Sequence, residues 1–518
     1  MLFKVAGIGA TGVVSDVAPH ELPPSVWTNA NNIRFFQGYA QSVFHDSQIL
    51  NDETQPDIST NYAYGVIGFD EDKIAYASGT TLYVYTGTQH EDYTGTTTPS
   101  SSSDWTSLLF SNTVIFSNVA TIPQALLPGA STYIDLTGWD SNWRTNDIVG
   151  YKNFLLALYT NESGNDYSQR IRWSDASAPN TIPTSWDATD PTTLAGFTDL
   201  TDAFGYIITG KTLSDVMYIY TSREIFAIQY VGTPSIFNFR KINGNVGLLT
   251  RKAICEYKGL HVFMSKDNVY IFDGVNVQSI VNGKIREQLF RDINVDYVDN
   301  IQLIARTQYN EVWICYPNAN SVDGEITHAA VYNVETKTWA FRRLTDFIEL
   351  AVIRKPSDPG VLWVDATYEW DSTDAYHTWN EKDFGSDVLI GTTASGKFMI
   401  IDQMDQSSTN IVSTLERKYI DLDDADTPST NVKAIKSIYP QFSGTGKIYI
   451  HVGVSNSSLG PIQWETPKPF VIGTDTRVDF RTSGRYISIK FVSTSKNVSW
   501  QFTGYDIEFD NRFRGKSR

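Results

Sequence analysis

The chain has 518 residues, of which 41% are hydrophobic, 19% charged and 13% aromatic. At about 150 residues per domain this allows roughly three domains, each able to bury a core without disulfide or metal staples. A formal net charge of −17 argues against a protein that grips nucleic acid by neutralising phosphates, and the aromatic content excludes global disorder.

The N-terminus, Met1 to Val14, faintly imitates a signal peptide. Its apolar stretch is diluted by Gly7, Gly9, Thr11 and Gly12, and no clean cleavage site follows. No apolar run reaches the 18 or more residues of a membrane span, so no stable membrane insertion is expected. Residues 1–45 read as an extended arm stiffened by Pro23-Pro24, which either closes the next domain or bridges protomers. Residues 46–104 then carry ten acids and one base, Lys73. A solvated acidic face is the plainer reading of that run.

From there the chain is made of short strands separated by turn residues. Tyr64–Phe69, Lys73–Ala77 and Thr81–Tyr85 form one set, joined by Asp70-Glu71-Asp72 and Ser78-Gly79-Thr80. Thr113–Ser117, Phe154–Tyr159, Met217–Thr221 and Glu224–Tyr230 follow, then His261–Met264 and Asn268–Phe272. Glu311–Tyr316, Ala329–Asn333 and Thr338–Arg342 close the series. A strand-end phrase recurs in Tyr83-Val84-Tyr85-Thr86-Gly87 and Tyr270-Ile271-Phe272-Asp273-Gly274, and again in Val331-Tyr332-Asn333. Aromatic-flanked strands ending in turns suggest the blades of an irregular β-propeller over residues 46–385. One helix is expected, at Lys284–Ile293, where Ile285, Leu289 and Ile293 recur four apart. Thr94–Asp104 reads as a flexible low-complexity loop and Pro179–Phe204 as a long contact loop.

The texture changes near residue 386. Alternating strands such as Ile448–Val454, Arg477–Arg481, Tyr486–Val492 and Val498–Phe502 predict a C-terminal β-sandwich over 386–518. The fold class is therefore all-β, a propeller followed by a sandwich, with few short helices. Cys255 and Cys315 both lie in apolar strands and read as buried free thiols, with a disulfide as the alternative.

A search for chemistry finds little. None of the seven histidines has zinc-ligand spacing, and no nucleophile elbow or phosphate-binding glycine loop is present. Asp421-Leu422-Asp423-Asp424-Ala425-Asp426 lacks the Gly and Glu of a calcium loop and reads as an acidic turn. No catalytic residue, cofactor site or metal site is expected. The C-terminal Asn511–Arg518 carries four bases; it is either a frayed tail or a segment that meets an acidic partner or DNA.

Several stretches together resemble the tail nozzle, or packaged-DNA stabilisation, proteins of short-tailed bacteriophages. They are Asp16-Val17-Ala18-Pro19-His20-Glu21-Leu22-Pro23-Pro24 with Trp27-Thr28, Asn32-Ile33-Arg34-Phe35 and Gly38, then Arg172-Trp173-Ser174-Asp175 with Trp186. Tyr230–Phe237 and Tyr309–Pro317 follow, with Val331-Tyr332-Asn333, Trp339 and, more loosely, Ser483-Gly484-Arg485-Tyr486. Ile314 stands where the family usually has a second aromatic, a conservative change in a strand. The resemblance spans residues 12–345 and rests on the order of the stretches.

It implies a virion protein of the tail, made in the host cytoplasm. Such proteins form a homo-oligomeric ring, commonly a hexamer, below the portal and its adaptor ring. The ring extends the channel for double-stranded genomic DNA, helps retain it, and supports tail fibres or spikes. An acidic lumen would let DNA slide, its charges acting within a Debye length of about 8 Å. Pro179–Phe204 would be the candidate constriction. On residue type alone, Trp27, Trp173, Trp313 and Trp339 read as blade-core aromatics and Asn32 and Asn333 as turn formers. The competing reading is a propeller that binds or cleaves glycans, with Trp363, Trp370 and Trp379 stacking on sugars.

Overall fold

The computed structural model describes residues 1–48, 63–69, 73–86, 89–100, 104–354, 387–402, 411–422, 431–494 and 499–512. Trp363, Trp370, Trp379, His377, Asp70-Glu71-Asp72, Asp423–Asp426 and the tail beyond Arg512 lie outside these residues, as do several acids of the 46–104 run.

The described strands form an irregular seven-bladed β-propeller capped by a β-sandwich. The first blade is Tyr64–Phe69, Lys73–Ser78, Thr81–Tyr85 and His90–Asp92. The next four are antiparallel four-stranded meanders running from Thr106 to Asp135, Trp143 to Asp199, Ile207 to Asn243 and Ile254 to Ser279. The sixth begins with Gln302–Arg306, Glu311–Tyr316 and Ile326–Asn333, and its outer strand is the first half of Thr338–Arg354. That long strand crosses over, and residues 347–354 become the inner strand of the seventh blade. Asp387–Thr393 and Phe398–Ile400 continue this blade, and Ser47–Gln48 from the N-terminal region completes it.

Inner strands of successive blades touch, and the strand Thr338–Arg354 returns to Tyr64–Phe69, closing the ring. The fourth and fifth blades are joined by Tyr220, which shares a 2.7 Å hydrogen bond with His261. Each blade is covered on both faces by its neighbours. Its central strands are therefore buried along their whole length, as in Thr113–Asn118 and Glu311–Tyr316. That is why they read as near-continuous apolar runs instead of strict alternation.

The sandwich is shared between the two ends of the chain. One sheet pairs Leu2–Ala6 with Trp500–Arg512, which also pairs with Val432–Gly444 and with Tyr39–Ser42. The other runs from Asn29–Asn31 through Ser413–Ile420 and Tyr486–Ser493 to Lys447–Ser455. Asn31 also pairs with Phe341, so this sheet continues directly into the sixth blade.

Two expectations are corrected. The boundary at residue 386 falls inside the seventh blade, because Asp387–Thr393 is registered on residues 347–354. The arm does more than close the propeller: its strands Leu2–Ala6, Asn29–Asn31 and Tyr39–Ser42 pair within the sandwich sheets, and closure falls to Ser47–Gln48 just beyond it. The helix appears at Arg286–Asp292, within the predicted range, with Leu289 buried.

Trp27 shows how the arm is held. It is 1% exposed and lies among Phe491, Phe502 and Tyr505 in the sandwich core, not in a blade. Its indole N–H donates to the Ile8 carbonyl at 2.9 Å. Trp27→Ala is expected to cost about 3–5 kcal/mol of unfolding free energy, read from the denaturant midpoint. Trp27→Phe, which keeps most of the ring volume, should cost markedly less.

Candidate functional site: a buried arginine junction and a charged axial channel

The junction lies where the arm, the sixth blade and the seventh blade meet. Its centre is Asp402, whose side chain is fully buried. Three guanidinium groups converge on it: Arg34 at 2.5 Å, Arg306 at 2.9 Å and Arg342 at 3.2 Å. The backbone N–H of Phe44 also donates to it. Arg34 reaches on to Glu311 at 2.6 Å, and Arg342 to Asp46 at 3.2 Å. The Trp313 indole N–H donates to Glu311. Tyr309 packs against the Arg34 guanidinium with its centroid 3.6 Å away, and Trp313 lies beside Arg306 and Arg342.

The cluster balances three arginines against three carboxylates. Burial alone would raise the Asp402 pKa, but Arg34, Arg342 and Arg306 overturn that and hold it far below the usual carboxylate range. For Arg34, burial opposes the charge, and Asp402 and Glu311 more than restore it. Arg342 meets Asp402 as an ion pair and donates from Nη2 to Asp46, while its Nε and Nη1 groups make no hydrogen bond. The cluster locks the arm to the propeller.

The second feature is the propeller axis. Inner strands enclose a cavity of about 480 Å³ lined by Asp147, Thr209, Lys211, Arg251, Lys252, Gln302 and Glu349, among others. Lys252 pairs with Glu349 at 2.7 Å. Asp147 accepts from Thr209 at 2.6 Å and from the Ile148 N–H at 3.0 Å. Burial outweighs those bonds and pushes Asp147 up to about 6. Burial likewise lowers His261 to about 4, so it is neutral between the fourth and fifth blades.

The remaining sequence candidates fall elsewhere. Within the 46–104 run, Asp46 is buried in the junction, and Asp104 pairs with Arg251 beside the channel. Glu91 and Asp92 lie on the outer strand of the first blade. The described part of the Thr94–Asp104 loop is pinned, with Gln124 donating to the Thr97 carbonyl and Ser100 N–H to Thr121. The Pro179–Phe204 stretch is also packed: Trp186 is fully buried and lies 4.9 Å from Trp139, and residues 196–199 form the outer strand of the third blade. Trp313 and Trp339 are buried in the sixth blade, and Trp173 packs against Phe237. Asn333 is a turn former as expected, accepting from the Glu335 and Thr336 N–H groups. Asn32 is likewise a turn former, at φ 55°, and it also clamps the arm, donating to the Val412 carbonyl and accepting from the Arg343 N–H.

Cys255 and Cys315 are free and buried; burial pushes the Cys255 thiol up to about 12 and raises Cys315 as well. Among the described residues no three His, Cys, Asp or Glu side chains gather as a metal site, and no helix is long and apolar enough to cross a membrane. Sequence reasoning named Arg34 only as part of the resemblance and missed Arg306, Arg342 and Asp402. Those four come together from positions up to 368 residues apart, with no local signal to link them.

No protein-family profile matches the chain, and no curated protein matches it. Solved structures do. One is the extracellular domain of a one-component system from B. thetaiotaomicron, 12% identical over 71% of this chain, with a TM-score of 0.37. This chain spans 41% of that one's length. Another is BBS1N in complex with ARL6DN, 10% identical over 70% of this chain and 98% of that one, with a TM-score of 0.38.

Two outcomes follow from the charges. Asp402→Asn leaves buried arginines short of a counter-charge and is expected to cost about 3–5 kcal/mol in denaturant unfolding. Asp147 has a folded pKa raised above its unfolded value, so its stabilising protonated form is lost as pH rises from about 4 through about 6. Asp147→Asn cannot ionise. Its Tm relative to the wild type should therefore climb between pH 4 and pH 8 in a thermal-melt series.

Proposed function

We propose that this chain is a structural virion protein, not an enzyme, that forms the tail nozzle ring of a short-tailed bacteriophage. In that role it extends the DNA channel below the portal and adaptor, retains packaged DNA, and supports fibres or spikes during ejection. A hexamer is the stoichiometry the resemblance implies.

One observation supports this reading above others. The stretch Asn32-Ile33-Arg34-Phe35, which carries much of the resemblance, lies at a buried mechanical joint and not in an open cleft. Arg34 meets Asp402 and Glu311 there, and Asn32 ties the arm to residues 343 and 412. A joint that welds the arm to both domains suits a protein whose task is to hold shape under the pressure of packaged DNA.

The axial cavity bears on how DNA would pass. At about 480 Å³ and crowded by side chains, it is far too small for a duplex whose major groove alone is about 12 Å wide. A DNA conduit must then be built between copies of the chain, as a ring does.

The deciding measurement is the assembly state of the purified chain, by mass photometry and negative-stain imaging, alone and with its adaptor ring. A closed ring of about six copies with an open bore is the expected result. A monomer or trimer under every condition, particularly one that cleaves capsular glycan, overturns the proposal.

A further inference from the structure

The cavity on the propeller axis is lined by the inner strands of the second to seventh blades. Its volume of about 480 Å³ falls in the range of small-molecule sites, about 300–1,000 Å³. Six charged side chains line it: Asp147, Lys211, Arg251, Lys252, Glu256 and Glu349. Five of them are already engaged. Lys252 meets Glu349 at 2.7 Å, and Arg251 meets Asp104 and the Asn146 carbonyl. Glu256 accepts from the Gly259 N–H at 2.9 Å, within its own turn. Asp147 accepts from Thr209 and from the Ile148 N–H.

Lys211 is the exception. It follows Gly210 on the inner strand of the fourth blade and is exposed. Among the described residues its side chain has neither an ion pair nor a hydrogen bond. Its charge acts on Asp147, His261 and Cys255, which places it beside the third and fifth blades. Gln302 adds a second open donor. Its side-chain carbonyl accepts from the Leu350 N–H at 2.9 Å, so its NH2 group is left to donate to a ligand. The unused hydrogen-bonding capacity of the cavity is therefore weighted toward donors, and one positive charge lacks a counter-charge. A cationic ligand finds each carboxylate engaged. A neutral ligand leaves Lys211 unmatched. An oxyanion satisfies both the charge and the donors, through charge-assisted hydrogen bonds.

We infer that the axial cavity binds a compact oxyanion, held by Lys211 with Gln302 and Lys252 as further donors. The site does not depend on the ring reading above, and its size closes it to duplex DNA. Asp147 links it to pH. Thr209, Thr106 and the Ile148 N–H donate to this carboxylate, and Lys211 is the charged group that acts on it. Burial nonetheless pushes it up to about 6. An anion beside it raises it further, because a like charge disfavours ionisation. Binding then takes up a proton, so affinity falls as pH rises above about 6.

Isothermal titration calorimetry on the full chain tests this, in chloride buffer at fixed ionic strength. The probes are sulfate, phosphate and succinate, with glucose as the neutral control and spermidine as the cationic one. At least one oxyanion is expected to bind at a single site per chain. Lys211→Met should weaken it at least about tenfold, the loss of one charge-assisted contact, and Lys211→Arg should retain it. Lys211 is exposed, so anion-free thermal melts of both variants should match the wild type. Sulfate keeps its charge near neutral pH. Its affinity for the wild type should fall between about pH 6 and pH 8, whereas in Asp147→Asn it should stay level. This second readout decides the matter even where Lys211→Met fails to fold. Absence of oxyanion binding at millimolar concentration overturns the inference, as does binding that Lys211→Met leaves unchanged. Binding of glucose or spermidine in place of the oxyanions overturns it as well. A wild-type sulfate affinity that is level across this pH range overturns the role of Asp147.

Discussion

One buried carboxylate ties the arm to the sixth and seventh blades. Asp402 gathers Arg34 from the arm, Arg306 from the inner strand of the sixth blade and Arg342 from the long crossing strand. Burying six charges carries a desolvation penalty of several kcal/mol per ion, repaid only when every partner is in place. That all-or-none character gives the junction its specificity. A misregistered arm would strand an arginine or an acid in the interior, so the correct threading is strongly preferred over near alternatives.

The threading solves a general problem of ring-shaped sheets. A propeller must close its last blade against its first, or an open seam remains. Here the closing strand, Ser47–Gln48, comes from the N-terminal side, and the strands before it are woven into the sandwich beside Trp500–Arg512. Closure and domain docking are therefore one event. Any pull on the arm is shared by sandwich hydrogen bonds, the Trp27 core and the arginine junction. The load is spread over three separate sets of contacts.

The junction balances three arginines against three carboxylates, so it adds little to the outer field. A formal net charge of −17 resists random association of copies.

The sequence by itself determined the all-β class, most strand positions and the α-helix at Arg286–Asp292. Those depend on short-range patterning: apolar runs such as Glu311–Tyr316 and turn residues such as Asn333 act within a few residues of themselves. It also marked Trp186 and Trp27 as notable without saying what they pack against. Tertiary structure alone decided the blade count, because the seventh blade is assembled from residues 47–48, 347–354 and 387–400, with no repeat to betray it. It alone decided that the change of texture near 386 was not a domain boundary, since strand alternation looks the same in an outer blade and in a sandwich. It alone produced the junction, whose four central residues lie in three separate parts of the chain. Charge pairing in a folded interior is set by distance in space, and nothing in local sequence encodes that distance when the partners are hundreds of residues apart.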